Sequence, residues 1–468
     1  MVFAASVLWL GLAAPAAPPP PPWTAPAFFE AHRERLLAKL PPGAIAVFRA
    51  APESAADTRA DSYRQDSDFW YLTGFDEPAG VAVFFPGAAR DGRYVLFVQP
   101  KDFAAEQWTG WRAGLEGAKR DFGAGQAYPF AEFWDRFAAL SASARSLYYG
   151  SGGDKEFARR LSDAWNAGNA AATSARPAAE ASPILAAMRL VKDPFEQNLM
   201  REASRLAAEA HRAAMARVAA GRHEWDLKAA MLDVCLSGGA ARMAYPSIVA
   251  SGRNSVVLHY EKDDKKLEDG EILVNDTGCE YAMYAADVTR SYPVSGRFSA
   301  EQRQVYEIVL EAQKAGLAAV KPGTPFKDVH NATVRVVVNG LLRLKVLSGD
   351  REEILRTRAY QKFYPHGSSH WIGLNVHDVG SYGVPAGVER LDRYGKAETK
   401  LEPGMALTVE PGIYIPEKGT ADPKWWNIGV RIEDTVLVTP DGAECLSCGA
   451  PREIPDVEKT ILEARPRK

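Results

Sequence analysis

Three of the chain's eight histidines, His366, His370 and His377, fall inside one stretch, "HGSSHWIGLNVHDVG". Imidazoles so close together can ligate a metal or exchange protons near neutral pH; a His-rich loop with no such role is the alternative. Four carboxylates have a comparable oddity. Asp276 ends the apolar run "EILVND", Asp287 stands just before "VTRSYPV", Glu410 follows "MALTV", and Glu433 sits within "VRIEDTVLV". A carboxylate in such company is costly unless it is paired or metal-bound. Any one of them alone reads as an edge charge or a cap; four of them with a histidine cluster read as one site. In a strand, Arg431 and Glu433 point to the same face. Four carboxylates and one imidazole form a hard, oxygen-rich donor set, suited to Mn²⁺ first and to Co²⁺ or Zn²⁺ less selectively. Such a set can bridge two cations about 3.5–4 Å apart, as in two-metal hydrolases.

The elements that must position these residues come in two regimes. Up to about residue 150, short strands alternate with helices. "AIAVFRA", "GVAVFFPG" and "RYVLFVQP" read as strands bounded by Gly or Pro, and "FAEFWDRFAALSAS" and "KEFARRLSDAWNAG" carry helical spacing. "DFWY" (Phe69, Trp70, Tyr71) reads as packing. From about 185 the plan changes. Asp193-Pro-Phe-Glu196 is a helix start with an N-cap, a proline and a capping glutamate. The helix runs to a break at Gly221, and "HEWDLKAAMLDVCL" makes a second helix. The plan recurs from Ser299-Ala-Glu-Gln302, through a break at Gly323, to "FKDVHNATVRVVVNGLL". A long helix, a glycine break, a shorter helix and then strands, twice over, suggest an internal duplication around a central cleft.

The bulk numbers bound the answer. A chain of 468 residues needs more than one core, and 47% hydrophobic with 25% charged residues is a globular composition. A net charge of −3 and the lack of a long basic run exclude a nucleic-acid partner. The start, "MVFAASVLWLGLAAPAAPPPPP", offers an apolar run of signal-peptide length, small residues for cleavage and a polyproline spacer, but no basic residue before Arg33. It is read as an export leader, with a disordered tail and a cytoplasmic protein as the alternative. No later segment reads as transmembrane. Cys235, in a helical pattern, and Cys279, at a strand turn, read as buried and inert. Cys445 and Cys448 form a lone CxxC with no second ligand pair for zinc; a local disulfide is expected if the chain is exported, and free thiols otherwise.

The segments "LHY", "NDTG", "ADVTR", "HGSSHWIGLNVHDVG", "EPGIY" and "VRIED" stand in the order and spacing of the proline-specific metallopeptidases with the pita-bread fold. The chain resembles the Xaa-Pro aminopeptidases (aminopeptidase P) among them, with prolidase the near relative. The likeness covers roughly 185–455, and "DSDFWYLTGFDEPAGVAVFF" extends it to the family's N-terminal domain. It implies an α/β (α+β) chain in four parts: a leader at 1–22, an N-terminal α/β domain at 23–185, a pita-bread catalytic domain with pseudo-two-fold duplication at 186–455, and a tail at 456–468.

By position, the resemblance implies that Asp276, Asp287, His370, Glu410 and Glu433 ligate two divalent metal ions. It implies substrate-facing or catalytic places for His259, His366, His377 and Arg431, and makes Glu410 the proton shuttle beside a metal-activated hydroxide. Trp108, in "EQWTGWRAG", lies where relatives present an aromatic residue to a neighbouring subunit's site, which implies a homodimer or homotetramer; a surface or core tryptophan is the alternative. The implied reaction removes the first residue of peptides with proline second. The rivals are a prolidase restricted to dipeptides and a non-catalytic binding protein on the same scaffold. Two departures from the family pattern bear on pocket shape: Asn275 and Thr277 in "NDTG", and Ser368 in "HGSSHW".

Overall fold

A computed structural model describes residues 26–53, 63–169, 176–384, 396–418 and 421–465; the expected leader at 1–22 lies outside them. The N-terminal part is built on a sheet of six strands in the order β4-β3-β2-β1-β5-β6. These are β1 (Ala44–Arg49), β2 (Val81–Phe84), β3 (Tyr94–Val98), β4 (Gln126–Pro129), β5 (Ser146–Gly150) and β6 (Ala178–Glu180). β1, β2 and β3 are antiparallel neighbours, whereas β3–β4, β1–β5 and β5–β6 pair in parallel. The central three are buried along their whole length, which is why they read as unbroken apolar runs. Alternate side chains serve two cores. Ile45, Val47, Val83 and Phe97 pack on the helices that carry Phe133, Phe137 and Trp165. Ala46, Phe48, Phe84 and Leu96 face a second core that continues into Tyr284, Ile372 and Leu437 of the C-terminal part. Phe69, Trp70 and Tyr71 are buried in that shared core, as packing residues.

The C-terminal part holds two helix pairs. Pro194–Arg217, started by the Asp193 capping box, packs on Glu224–Ser237; Ala300–Ala319, started by the Ser299 capping box, packs on Phe326–Arg343. The first helix stops at Arg217, a few residues before the expected glycine, and Gly221 forms the following turn at φ +91°. Between the pairs lie β8 (Ile248–Ser251), β9 (Ile272–Asp276) and β12 (Thr289–Pro293) in the order β12-β9-β8. A shorter sheet joins β7 (Arg242–Met243), β10 (Cys279–Tyr281) and β11 (Tyr284–Ala285). β13 (Ala406–Val409) pairs with β16 (Asp434–Thr439), β16 with β17 (Gly442–Cys445), and β14 (Gly412–Ile415) with β15 (Ile428–Arg431). A bridge from Thr289 to Glu433 ties the two halves together beside the site.

Three expectations need correction or extension. Cys235 and Cys279 are not inert thiols but form a disulfide across 44 residues, joining the end of a helix to β10. Cys445 and Cys448 are also bridged. The expected tail is in large part the helix Ile454–Glu463, whose Val457 and Ile461 are fully buried in the C-terminal core.

Candidate metal centre

The acidic side chains reach one place because each stands at the end of a strand that converges there. Asp276 is the last residue of β9 and pairs with Thr289, the first of β12, two residues beyond Asp287. Glu410 follows β13, and Glu433 lies between β15 and β16. His370 is locked alongside β13: its N–H donates to Thr408 Oγ1 at 3.1 Å and its carbonyl accepts from Thr408 N at 2.9 Å. The loop that carries His377 is pinned from the domain boundary. Arg189, nearly fully buried, donates to Asp378 Oδ1 at 2.5 Å, Asn375 Oδ1 at 2.6 Å and Asp68 Oδ1 at 2.6 Å.

Asp276, Asp287, His370, Glu410 and Glu433 line one cavity of about 450 Å³, and His259, His366, His377 and Arg431 line it too. Ligand atoms of Asp287, His370 and Glu433 lie within 4.8 Å of one another. His370 Nε2 is 3.3 Å from Asp287 Oδ2 and 3.7 Å from Glu410 Oε1. Its Nδ1 donates to the Trp371 carbonyl at 3.0 Å. A carbonyl only accepts, so the proton sits on Nδ1 and Nε2 turns a lone pair toward carboxylate oxygens. That arrangement is repulsive on its own and favourable around a cation. The donor chemistry therefore fits divalent metal ions.

The electrostatics agree. Among the described lining residues Arg431 is the one Lys or Arg, against five acidic side chains. Burial first, and neighbouring carboxylates second, push Asp287, Glu410 and Glu433 well above the ordinary carboxylate range. Arg431 donates to Asp276 Oδ2 at 2.6 Å, to Tyr414 Oη at 2.8 Å and to Thr289 Oγ1 at 3.1 Å. Thr289 Oγ1 in turn donates to Glu433 Oε2 at 2.7 Å. His366 is pushed down to about 3 by burial and by Arg431, so it is neutral. Its Nδ1 donates to the Gly367 carbonyl at 2.7 Å, and Nε2 accepts from Tyr414 Oη at 2.8 Å. The 3.6 Å approach of its Nδ1 to Glu410 Oε2 is accordingly not an ion pair. The His377 ring lies over that of His370, 4.0 Å between centroids.

Trp108 is set apart. It lies 89% exposed on the short helix Phe103–Thr109, outside the cavity. The departures at Asn275, Thr277 and Ser368 lie behind the cavity wall. Asn275 Nδ2 donates to Tyr292 Oη at 2.8 Å, and Ser368 Oγ joins His330, Thr333 and Tyr364. Tyr245 is a site residue that sequence reasoning passed over. Its Oη is 2.6 Å from both Asp276 Oδ1 and Asp287 Oδ1. One tyrosine within "MAYPSIV" carries no periodicity or motif that could have marked it. Tyr414 and Thr289 did fall inside the quoted segments "EPGIY" and "ADVTR".

Comparison with known proteins gives a consistent neighbourhood. Residues 198–440 match the model of metallopeptidase family M24, and residues 29–148 match that of the aminopeptidase P N-terminal domain. The Xaa-Pro aminopeptidase of Haemophilus influenzae is 36% identical over 438 residues, which is 92% of this chain and 96% of the relative. That of Escherichia coli is 35% identical over 442 residues, 93% of this chain and 98% of the relative. Among solved structures, the Pseudomonas aeruginosa aminopeptidase PepP is similar with a TM-score of 0.88 at 41% identity, covering 94% of this chain and 98% of that one. Aminopeptidase P from Escherichia coli with the inhibitor Pro-Leu also reaches 0.88, at 35% identity, covering 94% and 99%.

Proposed function

The chain belongs to metallopeptidase family M24, with the N-terminal domain of aminopeptidase P, and on that premise we propose that it removes the first residue from peptides with proline in second position. The observation that carries this reading is the meeting of Asp276, Asp287, His370, Glu410 and Glu433 in one cavity that also takes in three further histidines and opens to solvent at His259 and His377. These five are the groups that would hold two divalent cations. Mn²⁺ comes first, on the hardness of the donor set. Bound there, the cations supply Lewis acidity, polarising a carbonyl and acidifying water.

The protein's own groups divide the remaining work. A bond before proline is a tertiary amide without an N–H, so recognition falls on its carbonyl oxygen and on the pyrrolidine ring. Glu410 stands in the cavity with its affinity for protons raised, which suits it to take a proton from water and return it to the departing proline nitrogen. His377, whose ring lies beside that of His370 on the cavity wall, would donate to the carbonyl oxygen as charge develops on it. His259 and His366 also line the cavity and would receive the proline ring. Arg431 keeps Asp276 and Tyr414 in place through its donors. A cavity of about 450 Å³ with an excess of acids receives a free amino terminus well and a long N-terminal extension badly.

Three finer assignments go with this reading. The domain boundary is set at 185/186, inside the helix Ser182–Leu190 that follows the last strand of the N-terminal sheet at Glu180. A homo-oligomer is supported by Phe103, Trp108 and Trp111, which are 70%, 89% and 80% exposed around one short helix. Among the described residues no helix is long and apolar enough to cross a membrane, and export is supported by two disulfides, which persist in oxidising compartments.

The test is direct. Purified protein with Mn²⁺ is given Arg-Pro-Pro and Gly-Pro, with and without chelator, and the products are weighed by mass spectrometry. Release of arginine from Arg-Pro-Pro that chelator abolishes is expected. Cleavage of Gly-Pro alone would make the chain a prolidase, and no cleavage of either would make it a binding protein.

A further inference from the structure

His211 belongs to no motif and lies outside the cavity, yet it is fully buried next to the site. It projects from the helix Pro194–Arg217 to the place where the β9–β12 ladder is interrupted before the same chains pair again as β10 and β11. There its Nε2 lies 2.9 Å from the carbonyl of Val288 and 3.2 Å from that of Thr277. Val288 follows Asp287 directly, and Thr277 follows Asp276. The same Val288 carbonyl accepts from Thr277 N at 3.0 Å, and the next rung is Ala286 N to the Cys279 carbonyl, also at 3.0 Å, where the hairpin of β10 and β11 begins.

Both partners are carbonyls, which only accept, so the proton is on Nε2 and is shared between them. Nδ1 is then a bare acceptor, and it is buried without a hydrogen-bond partner. Burial and the nearby Arg290 push the ring down to about 4, so it stays neutral. A neutral donor is the group this place needs. A cation would sit uncompensated in an apolar core, and an apolar side chain would leave two backbone carbonyls short of a donor. Leaving one ring nitrogen unsatisfied is a cost the fold accepts for the clamp on the other.

We propose that His211 is a positioning residue for the metal centre, holding the backbone of Thr277 and Val288 so that the carboxylates of Asp276 and Asp287 stay at the spacing two cations require. The strand ladder fixes Asp276 against Thr289 and resumes with β10 and β11 at Glu280 and Ala285; in the interval that holds Asp287, His211 ties both chains through the carbonyl of the residue that follows each acid. Groups that orient metal ligands in this indirect way set metal affinity by about 10–100-fold when removed. The inference rests on the reading of the five residues as a metal centre.

The experiment uses full-length wild type, His211→Gln and His211→Phe. Mn²⁺ binding is titrated by calorimetry and by competition with a chelating dye, and Tm is taken with and without Mn²⁺. Glutamine keeps a neutral N–H donor at similar reach; phenylalanine keeps volume and loses the donor. His211→Phe is expected to bind Mn²⁺ at least about tenfold more weakly and to lose most of the rise in Tm that Mn²⁺ gives wild type. His211→Gln is expected to stay within about threefold of wild type, since the clamp survives. At saturating Mn²⁺, KM for Arg-Pro-Pro should hardly change, because His211 does not touch substrate. Equal Mn²⁺ affinity in His211→Phe and wild type would overturn the proposal. So would equal weakening in both variants, which would mark the ring as packing alone. If His211→Phe does not fold, His211→Gln decides: a loss of about tenfold or more with an unchanged metal-free Tm overturns the clamp, and near-wild-type affinity supports it. Failure of the wild type to bind Mn²⁺ would instead sink the metal-centre reading itself.

Discussion

Arg431 Nη2 lies 2.6 Å from Asp276 Oδ2, with both side chains buried, and the same guanidinium reaches Tyr414 and Thr289 with its other nitrogens. The planar fork matters as much as the charge, because no lysine ammonium can serve three partners in that geometry. Arg431→Lys should therefore lower kcat/KM by roughly tenfold to a hundredfold, the worth of one to two hydrogen bonds to charged groups. Arg431→Ala leaves Asp276 buried without its partner and should cost about 3–5 kcal/mol in urea unfolding at neutral pH with chelator present. Kinetics of Arg431→Lys equal to wild type would mean that the guanidinium acts only as a charge.

The raised carboxylates make stability depend on pH in a way that metal should abolish. An exposed carboxyl loses its proton near pH 4, whereas folded, metal-free Asp287, Glu410 and Glu433 hold theirs to higher pH. Over that interval the folded chain carries more protons than the unfolded one, so stability falls as pH rises. His211, His330 and His366 act in the opposite sense. They are pushed down to about 4, 4 and 3, so their contribution is complete above about pH 6.5, the unfolded value, and is lost as pH drops below it. With chelator the two effects oppose each other between about pH 4 and 6.5, and above that range the carboxylates act alone, so stability should fall toward alkaline pH. Added Mn²⁺ should remove that alkaline fall and steepen the acid side, where protons compete with it for the same carboxylates, with proton release on binding seen by calorimetry in buffers of different ionisation enthalpy. An alkaline limb insensitive to Mn²⁺ would rule out those carboxylates as its source.

How much of this could be read beforehand depends on what each residue interrupts. Asp276, Asp287 and Glu433 stood out because an acid in an apolar strand breaks a strong pattern, and the structure gathers them. The helix pairs were legible through Asp193 and Ser299, whose capping boxes are local in sequence and form as expected. Contacts that depend on the fold left no such trace. Tyr245 and His211 are single residues in ordinary contexts, and only the meeting of β9 and β12 gives them partners. Cys235 and Cys279 sit on different elements far apart in sequence, so their pairing had no local signature. The tail expected at 456–468 is helical as far as Glu463, and the spacing of its Val457 and Ile461 is that of a helix laid on a core.

The two disulfides should differ in weight. Closing a loop with 44 residues between positions restricts the unfolded chain far more than closing one of 3. Replacing Cys235 and Cys279 together by alanine should cost about 4 kcal/mol, and replacing Cys445 and Cys448 about half of that. Because Cys279 lies three residues past Asp276 and is bonded through β10 to the chain near Asp287, the first pair should also weaken Mn²⁺ binding. Urea unfolding of the two double variants, each with and without Mn²⁺, tests the order. If both cost the same, chain entropy is not what separates them.

Gly278 gives the sharpest prediction for the backbone near the site. It lies between β9 and β10, opposite the chain that returns through β11 toward Asp287. A Cβ built on it would come 1.8 Å from the carbonyl oxygen of Ala286 and 2.6 Å from its carbon. Those atoms are backbone and cannot rotate away as a side chain could. Relief would require Ala286 to move, and with it Asp287, whose N–H donates to Thr435 Oγ1 at 3.0 Å. Gly278→Ala should therefore lose about 3 kcal/mol of stability and, where it folds, bind Mn²⁺ poorly, because one of the two aspartates is displaced. Gly323→Ala is the control: its glycine sits in a turn, and an added Cβ would meet nothing within 4 Å, so only its φ of +81° is strained. That variant should lose about 1 kcal/mol and keep its metal affinity. If Gly278→Ala bound Mn²⁺ like the control, the approach of β10 to Ala286 would have no bearing on the metal centre.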